Sequence, residues 1–225
     1  MFHPFSPRRW QSLFRGESRI ALFGTSADPP HRGHQSILSW LANEFDQVAV
    51  WAADNPYKSQ QSPLEDRAQM LRLMIGTLLK KEKVSVHQEL SDRYSIHSIE
   101  RARRIWPRAQ FSLVVGADLI AQLPQWYQAE EIFRQVEILV FPRPGYAVEG
   151  PALSRLQQIA QVAIAHPPDQ YDIASSRYRQ SRCSEVPADL PPIIRDYVAA
   201  RNLYPCTSSS QSSSFQPSVQ PLTNR

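Results

Sequence analysis

Between Ser18 and Pro205 the apolar positions follow two alternating rhythms. Short runs apolar on both faces predict buried strands at Arg19–Phe23, Val48–Ala53, Val84–His87, Phe111–Val115, Ile138–Phe141 and Val162–Ala165. Gly24, Gly116 and Pro142 punctuate three of them. Helical spacing fills the intervals. Gln35–Phe45 carries Ile37, Leu38, Leu41 and Phe45 on one stripe, and Leu64–Lys80 carries Leu64, Ala68, Leu71, Ile75 and Leu78. Further helices are expected at Ile96–Ile105, Ala129–Arg134 and Leu153–Ala160, with Ser175–Ser184 and Leu190–Asn202 closing the fold as a small helical part. Strands of this kind, alternating with helices, imply an α/β fold: a doubly wound parallel sheet covered on both faces. Ligands then bind beyond the carboxyl ends of the strands, in the loops after Phe23, Ala53, His87, Val115 and Phe141.

The flanks differ. Residues 1–18 form a basic extension, with Arg8, Arg9 and Arg15 around Trp10, Leu13 and Phe14; an Arg-rich, acid-poor start also fits a transit peptide. Residues 206–225 hold seven Ser and one charge, the composition of a disordered tail. One domain over residues 19–205 remains.

Two cysteines, Cys183 and Cys206, make no disulfide framework and point to a reducing, cytoplasmic setting. No apolar run approaches the roughly 18 residues of a membrane span, and no membrane partner is expected. Twenty-five Lys and Arg against 21 Asp and Glu leave a net charge of +4, compatible with phosphate handling. The densest basic stretch, Arg101, Arg103, Arg104 and Arg108, reads as a solvated helix face. Without interleaved aromatics it gives no ground for a nucleic-acid partner.

The chemistry concentrates at strand ends. The first loop reads Gly24-Thr25-Ser26-Ala27-Asp28-Pro29-Pro30-His31-Arg32-Gly33-His34. Two imidazoles three residues apart at a helix start lie on one face, Gly33 opens the backbone between them, and the unpaired helix N–H groups favour a phosphate. This His-x-Gly-His loop resembles the nucleotidyltransferase superfamily of that motif and, within it, the nicotinate-nucleotide adenylyltransferases. The resemblance runs from about Ile20 to Tyr204 and implies a Rossmann-like sheet. Thr25 and Ala27 depart from it, standing where the family has Gly and Phe.

A second stretch, Ile173-Ala174-Ser175-Ser176-Arg177-Tyr178-Arg179, resembles the family's Ile-Ser-Ser-Thr-x-Ile-Arg, with Ala174 in place of the first Ser. Ser175 or Ser176 can cap a helix while Arg179 grips two phosphate oxygens. Gly116-Ala117-Asp118 resembles the Gly-x-Asp that binds adenosine, where a carboxylate can accept both ribose hydroxyls. In Leu123-Pro124-Gln125-Trp126-Tyr127 the resemblance implies that Trp126 stacks on the pyridine ring. Tyr94 and Ser95 stand where the family lines the nicotinate pocket, and Lys58 in its Pro-x-Lys/Arg loop. Arg67 opens the long helix as family members do, with a structural role open to it. Arg143, in Pro142-Arg143-Pro144-Gly145-Tyr146, reads as structural and family-marking.

The resemblance thus implies an enzyme of pyridine nucleotide biosynthesis, transferring adenylyl from ATP to nicotinate mononucleotide. His31, His34 and Arg179 are its expected catalytic residues; Gly24, Thr25, Ser26, Gly33, Gly116, Asp118, Ser175 and Ser176 are expected to hold ATP. Mg²⁺ would ride on the ATP phosphates, with no protein metal site, and the oligomeric state is open. Nicotinamide mononucleotide remains an alternative acceptor. A pantetheine phosphate adenylyltransferase would lack Trp126 and Arg-Pro-Gly-Tyr. A relative that binds nucleotide without turnover is the competing class, motivated by Thr25, Ala27 and Ala174.

Overall fold

The computed structural model describes residues 17–54, 61–167, 175 and 189–204. Six parallel strands lie in the order β3-β2-β1-β4-β5-β6. They are β1 (Arg19–Thr25), β2 (Gln47–Ala52), β3 (Val84–Val86), β4 (Gln110–Gly116), β5 (Glu137–Phe141) and β6 (Val162–Ile164). The chain winds outward from β1 through β2 to β3, then returns to the other side of β1 for β4. The strand order therefore reverses between β1 and β4, which opens a crevice beyond their carboxyl ends.

Helices α1 (Arg32–Glu44), α2 (Leu64–Ile75) and α6 (Pro192–Ala200) cover one face of the sheet. The other face is covered by α3 (Ser95–Ile105), α4 (Ala129–Gln135) and α5 (Pro151–Ile159). The period of two in each strand divides its residues between two cores. Ala21 and Phe23 face α1 and α2, whereas Ile20 and Leu22 join the cluster beneath α3 and α4. Both faces are apolar because both are buried, as the continuous runs implied.

The long helix is shorter than its apolar stripe. It stops at Ile75, because Gly76 follows and the Thr77 hydroxyl donates to the Met74 carbonyl at 2.6 Å. Leu78 stays buried from the ensuing turn, so the stripe survives without helix, while Leu79 is fully exposed. Helix α1 begins earlier than Gln35, with His31 as its N-cap. The expected helix Ser175–Ser184 lies outside the described residues apart from Ser175, as do residues 1–16 and the Ser-rich tail. Ser18 already joins the centre of the sheet, its carbonyl accepting the Gln110 N–H at 2.9 Å.

Candidate active site

The loop after β1 is fixed from several sides. Ala27 turns the chain with a left-handed φ of 47°, a conformation that side chains make uncomfortable. Asp28 is fully buried, and its Oδ1 accepts from the Tyr204 hydroxyl at 2.6 Å and the Ser62 N–H at 3.2 Å. Arg67, only 3% exposed, spreads its guanidinium over three carbonyls: Ser62 at 3.0 Å, Ser26 at 3.1 Å and Ala53 at 2.7 Å. It joins the ends of β1 and β2 to the start of α2, so Arg67 is structural. Its neighbour Asp66 does more than favour a helix start. Asp66 is buried and accepts from Tyr197 at 2.8 Å and Arg201 at 3.0 Å, tying α2 to α6.

This scaffold presents the two histidines. Their ring centroids are 4.0 Å apart. His34, in the first turn of α1, accepts the His31 backbone N–H through Nδ1 at 3.2 Å. A neutral imidazole accepting at Nδ1 carries its proton on Nε2, so Nε2–H donates to the Thr25 hydroxyl at 2.9 Å. The hydroxyl that departs from the family pattern thus lies against the histidine expected to face phosphate. His31 is buried, and its pKa falls from 6.5 to about 4, first through burial and then through the positive charge of Arg143. It is neutral at pH 7, and its Nδ1 has no hydrogen-bond partner among the described residues.

Both glycines at the strand ends are required by what packs on them. A Cβ on Gly24 would meet the Trp51 indole at 2.8 Å, and one on Gly116 would collide with the Asp118 carboxylate. Asp118 curls back over Gly116 and pairs with Arg143, Nη1 to Oδ2, at 2.9 Å. Arg143, read from sequence as family-marking, thus also belongs to this site, since its charge acts on His31 while it holds Asp118. The signal available in the sequence was its place just after a strand end.

Ser175 of the second motif donates to the Pro29 carbonyl in the histidine loop at 3.0 Å. The Arg32 N–H donates to the Asp189 carbonyl at 2.9 Å. Ser176, Arg179 and Lys58 lie outside the described residues. Gly33 sits in the first turn of α1, between the two histidines.

A second cluster stands beyond β3 and β4. Trp126 follows the 3-10 turn Leu123–Gln125 and packs, half-buried, against the core beneath α3 and α4. Its neighbour Tyr127 is half exposed and meets Tyr94 with ring centroids 4.6 Å apart. Tyr94 caps α3 and Ser95 begins it, so the two residues expected in the pocket sit at a helix N-terminus. His97 stands edge-on to Tyr94 at 5.6 Å and near-perpendicular to Tyr127 at 6.3 Å. Tyr127 and His97 received no site role from the sequence; their place beside Trp126 and Ser95 was the clue.

Among the described residues no group of three or more His, Cys, Asp or Glu could hold a metal ion, and no helix is long and apolar enough to cross a membrane.

The sequence pattern of the cytidylyltransferase-like family matches residues 22–181. A "Probable nicotinate-nucleotide adenylyltransferase" of Synechocystis sp. is 42% identical over 205 residues, covering 83% of this chain and 98% of that one. The nicotinate-nucleotide adenylyltransferase of Bacillus subtilis is 27% identical over 195 residues, with the same coverages. Among solved structures, Plasmodium falciparum nicotinic acid mononucleotide adenylyltransferase complexed with NaAD superposes with a TM-score of 0.73 at 19% identity, covering 84% of this chain and 98% of that one. That likeness establishes the shared fold.

Proposed function

The chain belongs to the cytidylyltransferase-like family and, within it, to the nicotinate-nucleotide adenylyltransferases, which are nucleotidyltransferases of NAD biosynthesis; from this we propose the reaction that its site performs. A phosphate oxygen of nicotinate mononucleotide attacks the α-phosphorus of MgATP. A new P–O bond forms as the bond to the β-phosphate oxygen breaks, giving nicotinate adenine dinucleotide and pyrophosphate. The observation that carries this reading is the pair of adjoining imidazoles at the α1 N-terminus, in the crevice between β1 and β4.

The nucleophile is a phosphate monoester with a second pKa of about 6, already mostly dianionic at pH 7. No general base is needed. The site must align two anions and relieve charge that develops toward the leaving pyrophosphate. His34 offers Nε2–H, released from Thr25 when phosphate arrives. His31, neutral beforehand, can take up a proton as an anion approaches, which strengthens it as a donor. The N-terminus of α1 adds backbone N–H groups. Arg143 holds Asp118 where its carboxylate can accept ribose hydroxyls, and the guanidinium remains close enough to His31 to act on the same phosphates. Ser175, Ser176 and Arg179 of the second motif complete the grip on the triphosphate. Mg²⁺ arrives with ATP. Trp126, Tyr94, Ser95 and Lys58 serve the acceptor nucleotide, its pyridine ring at the aromatic cluster.

The test is pyrophosphate release from MgATP with nicotinate mononucleotide in one reaction and nicotinamide mononucleotide in another. Strong release with the acid supports the assignment. A folded protein that binds ATP and releases none with either acceptor is a nucleotide-binding relative instead.

A further inference from the structure

His97 lies in the first turn of α3, within the aromatic cluster that the proposed function assigns to the pyridine ring. Its Nδ1 is 2.9 Å from Asp92 Oδ1. Asp92 in turn receives the Tyr94 N–H at 3.0 Å and Arg101 Nη2 at 2.6 Å. Burial alone would raise the Asp92 pKa, but these donors outweigh it and hold the carboxyl below its ordinary value. Asp92 is therefore an anion, and an anion accepts; the proton between the two groups sits on His97 Nδ1. Nε2 has no partner among the described residues.

That arrangement distinguishes an acid from an amide. Protonated, His97 is a cation with a donor at Nε2, matching a pyridine carboxylate. Deprotonated, it offers only a lone pair at Nε2, which matches the NH₂ of a carboxamide and repels a carboxylate. The surrounding charges leave this difference visible. The Asp92 charge is matched by Arg101, Arg93 lies over the Tyr94 ring at 5.6 Å, and Glu100 follows His97 by one turn of α3. Tyr94 and Tyr127 flank it with their rings.

We propose that His97, oriented by Asp92, sets the choice between an acid and an amide on the pyridine ring of the acceptor nucleotide. The proposal rests on the adenylyl-transfer reading and sharpens it.

The experiment measures kcat/KM for nicotinate and nicotinamide mononucleotide with full-length protein, from pH about 5.5 to about 8, where imidazoles titrate. Titration of the mononucleotide phosphate is common to both acceptors and cancels in the ratio. The acid-to-amide ratio is expected to fall about tenfold as pH rises, the scale of one hydrogen bond to a charged group. His97→Phe should give a low ratio that no longer depends on pH, and His97→Lys a high one. Asp92→Asn should flatten the dependence with a smaller loss. Calorimetric binding of the two nucleotides gives the same comparison for a variant too slow to assay. A His97→Phe protein that keeps the wild-type ratio and its pH dependence overturns the proposal, as does a wild-type ratio that does not move with pH. Absence of pyrophosphate release from the wild type with either acceptor instead sinks the reaction, and the role of His97 with it.

Discussion

His34 Nδ1 accepts the backbone N–H of His31 at 3.2 Å, so one histidine fixes the tautomer of the other. The remaining Nε2–H is left as a donor, and the hydrogen bond that holds it in place comes from the helix turn itself. Replacing either histidine by Ala should lower kcat about 100-fold, the scale of one lost donor to a developing charge. His34→Ala also releases the His31 N–H, so its loss should be at least as large. Steady-state rates at saturating ATP and acceptor decide this; two variants with wild-type kcat would refute the assignment.

His31 carries a pH signature. Its folded-state pKa is about 4 against 6.5 when unfolded, so the unfolded chain binds more protons between those values and stability rises with pH there. The full contribution is present above pH about 6.5 and is lost on acidification toward pH 4, by about 3 kcal/mol in total. His31→Gln should lose markedly less stability than the wild type between neutral and acidic pH. Chemical denaturation at both values tests it, and parallel losses would show that His31 is not buried neutral.

Arg143 connects the two halves of the nucleotide site. Arg143→Met removes a cation that disfavours charge on His31, so the His31 pKa should rise from about 4. It also frees Asp118, and the KM for ATP should increase about tenfold, the effect of losing one charged contact. NMR titration of the imidazole and a kinetic titration of ATP measure the two effects on one protein. An unmoved imidazole would remove Arg143 from the phosphate site.

Arg67 is expected to matter for the fold before it matters for catalysis. Arg67→Met strands carbonyls of Ser62, Ser26 and Ala53 and should destabilise the chain by about 2–4 kcal/mol in urea denaturation. A change below about 0.5 kcal/mol, as at an ordinary surface site, would mean that solvent replaces those contacts.

Trp126→Ala should raise the KM for nicotinate mononucleotide by about tenfold or more, since a stacking face is worth roughly 1–3 kcal/mol. The KM for ATP should stay put. An effect confined to ATP would relocate the pyridine ring.

The sequence by itself determined the architecture. Continuous apolar runs cannot face water on either side, and helical stripes between them can bury only against a sheet, so the six strands were legible within a residue or two and the helices less closely, α1 beginning three residues early and α2 ending five residues short. It also determined the strand-end loops and the spacing of His31 and His34, because a helix start places i and i+3 together whatever surrounds it. Only the tertiary structure decided which long-range partners those residues acquire. Nothing local announces that Asp66 meets Tyr197, that Arg67 clasps carbonyls from two strand ends, or that Arg143 reaches Asp118 and acts on His31. The meeting of Arg143 and His31 depends on the reversal of strand order between β1 and β4, which brings loops far apart in the chain to one crevice. The same physics shortened α2: a stripe requires burial of Leu78 and not a helix to carry it, and the Thr77 hydroxyl ended the helix first. Periodicity reports which faces are buried, whereas the charge and hydrogen-bond partners that make a site are chosen by topology.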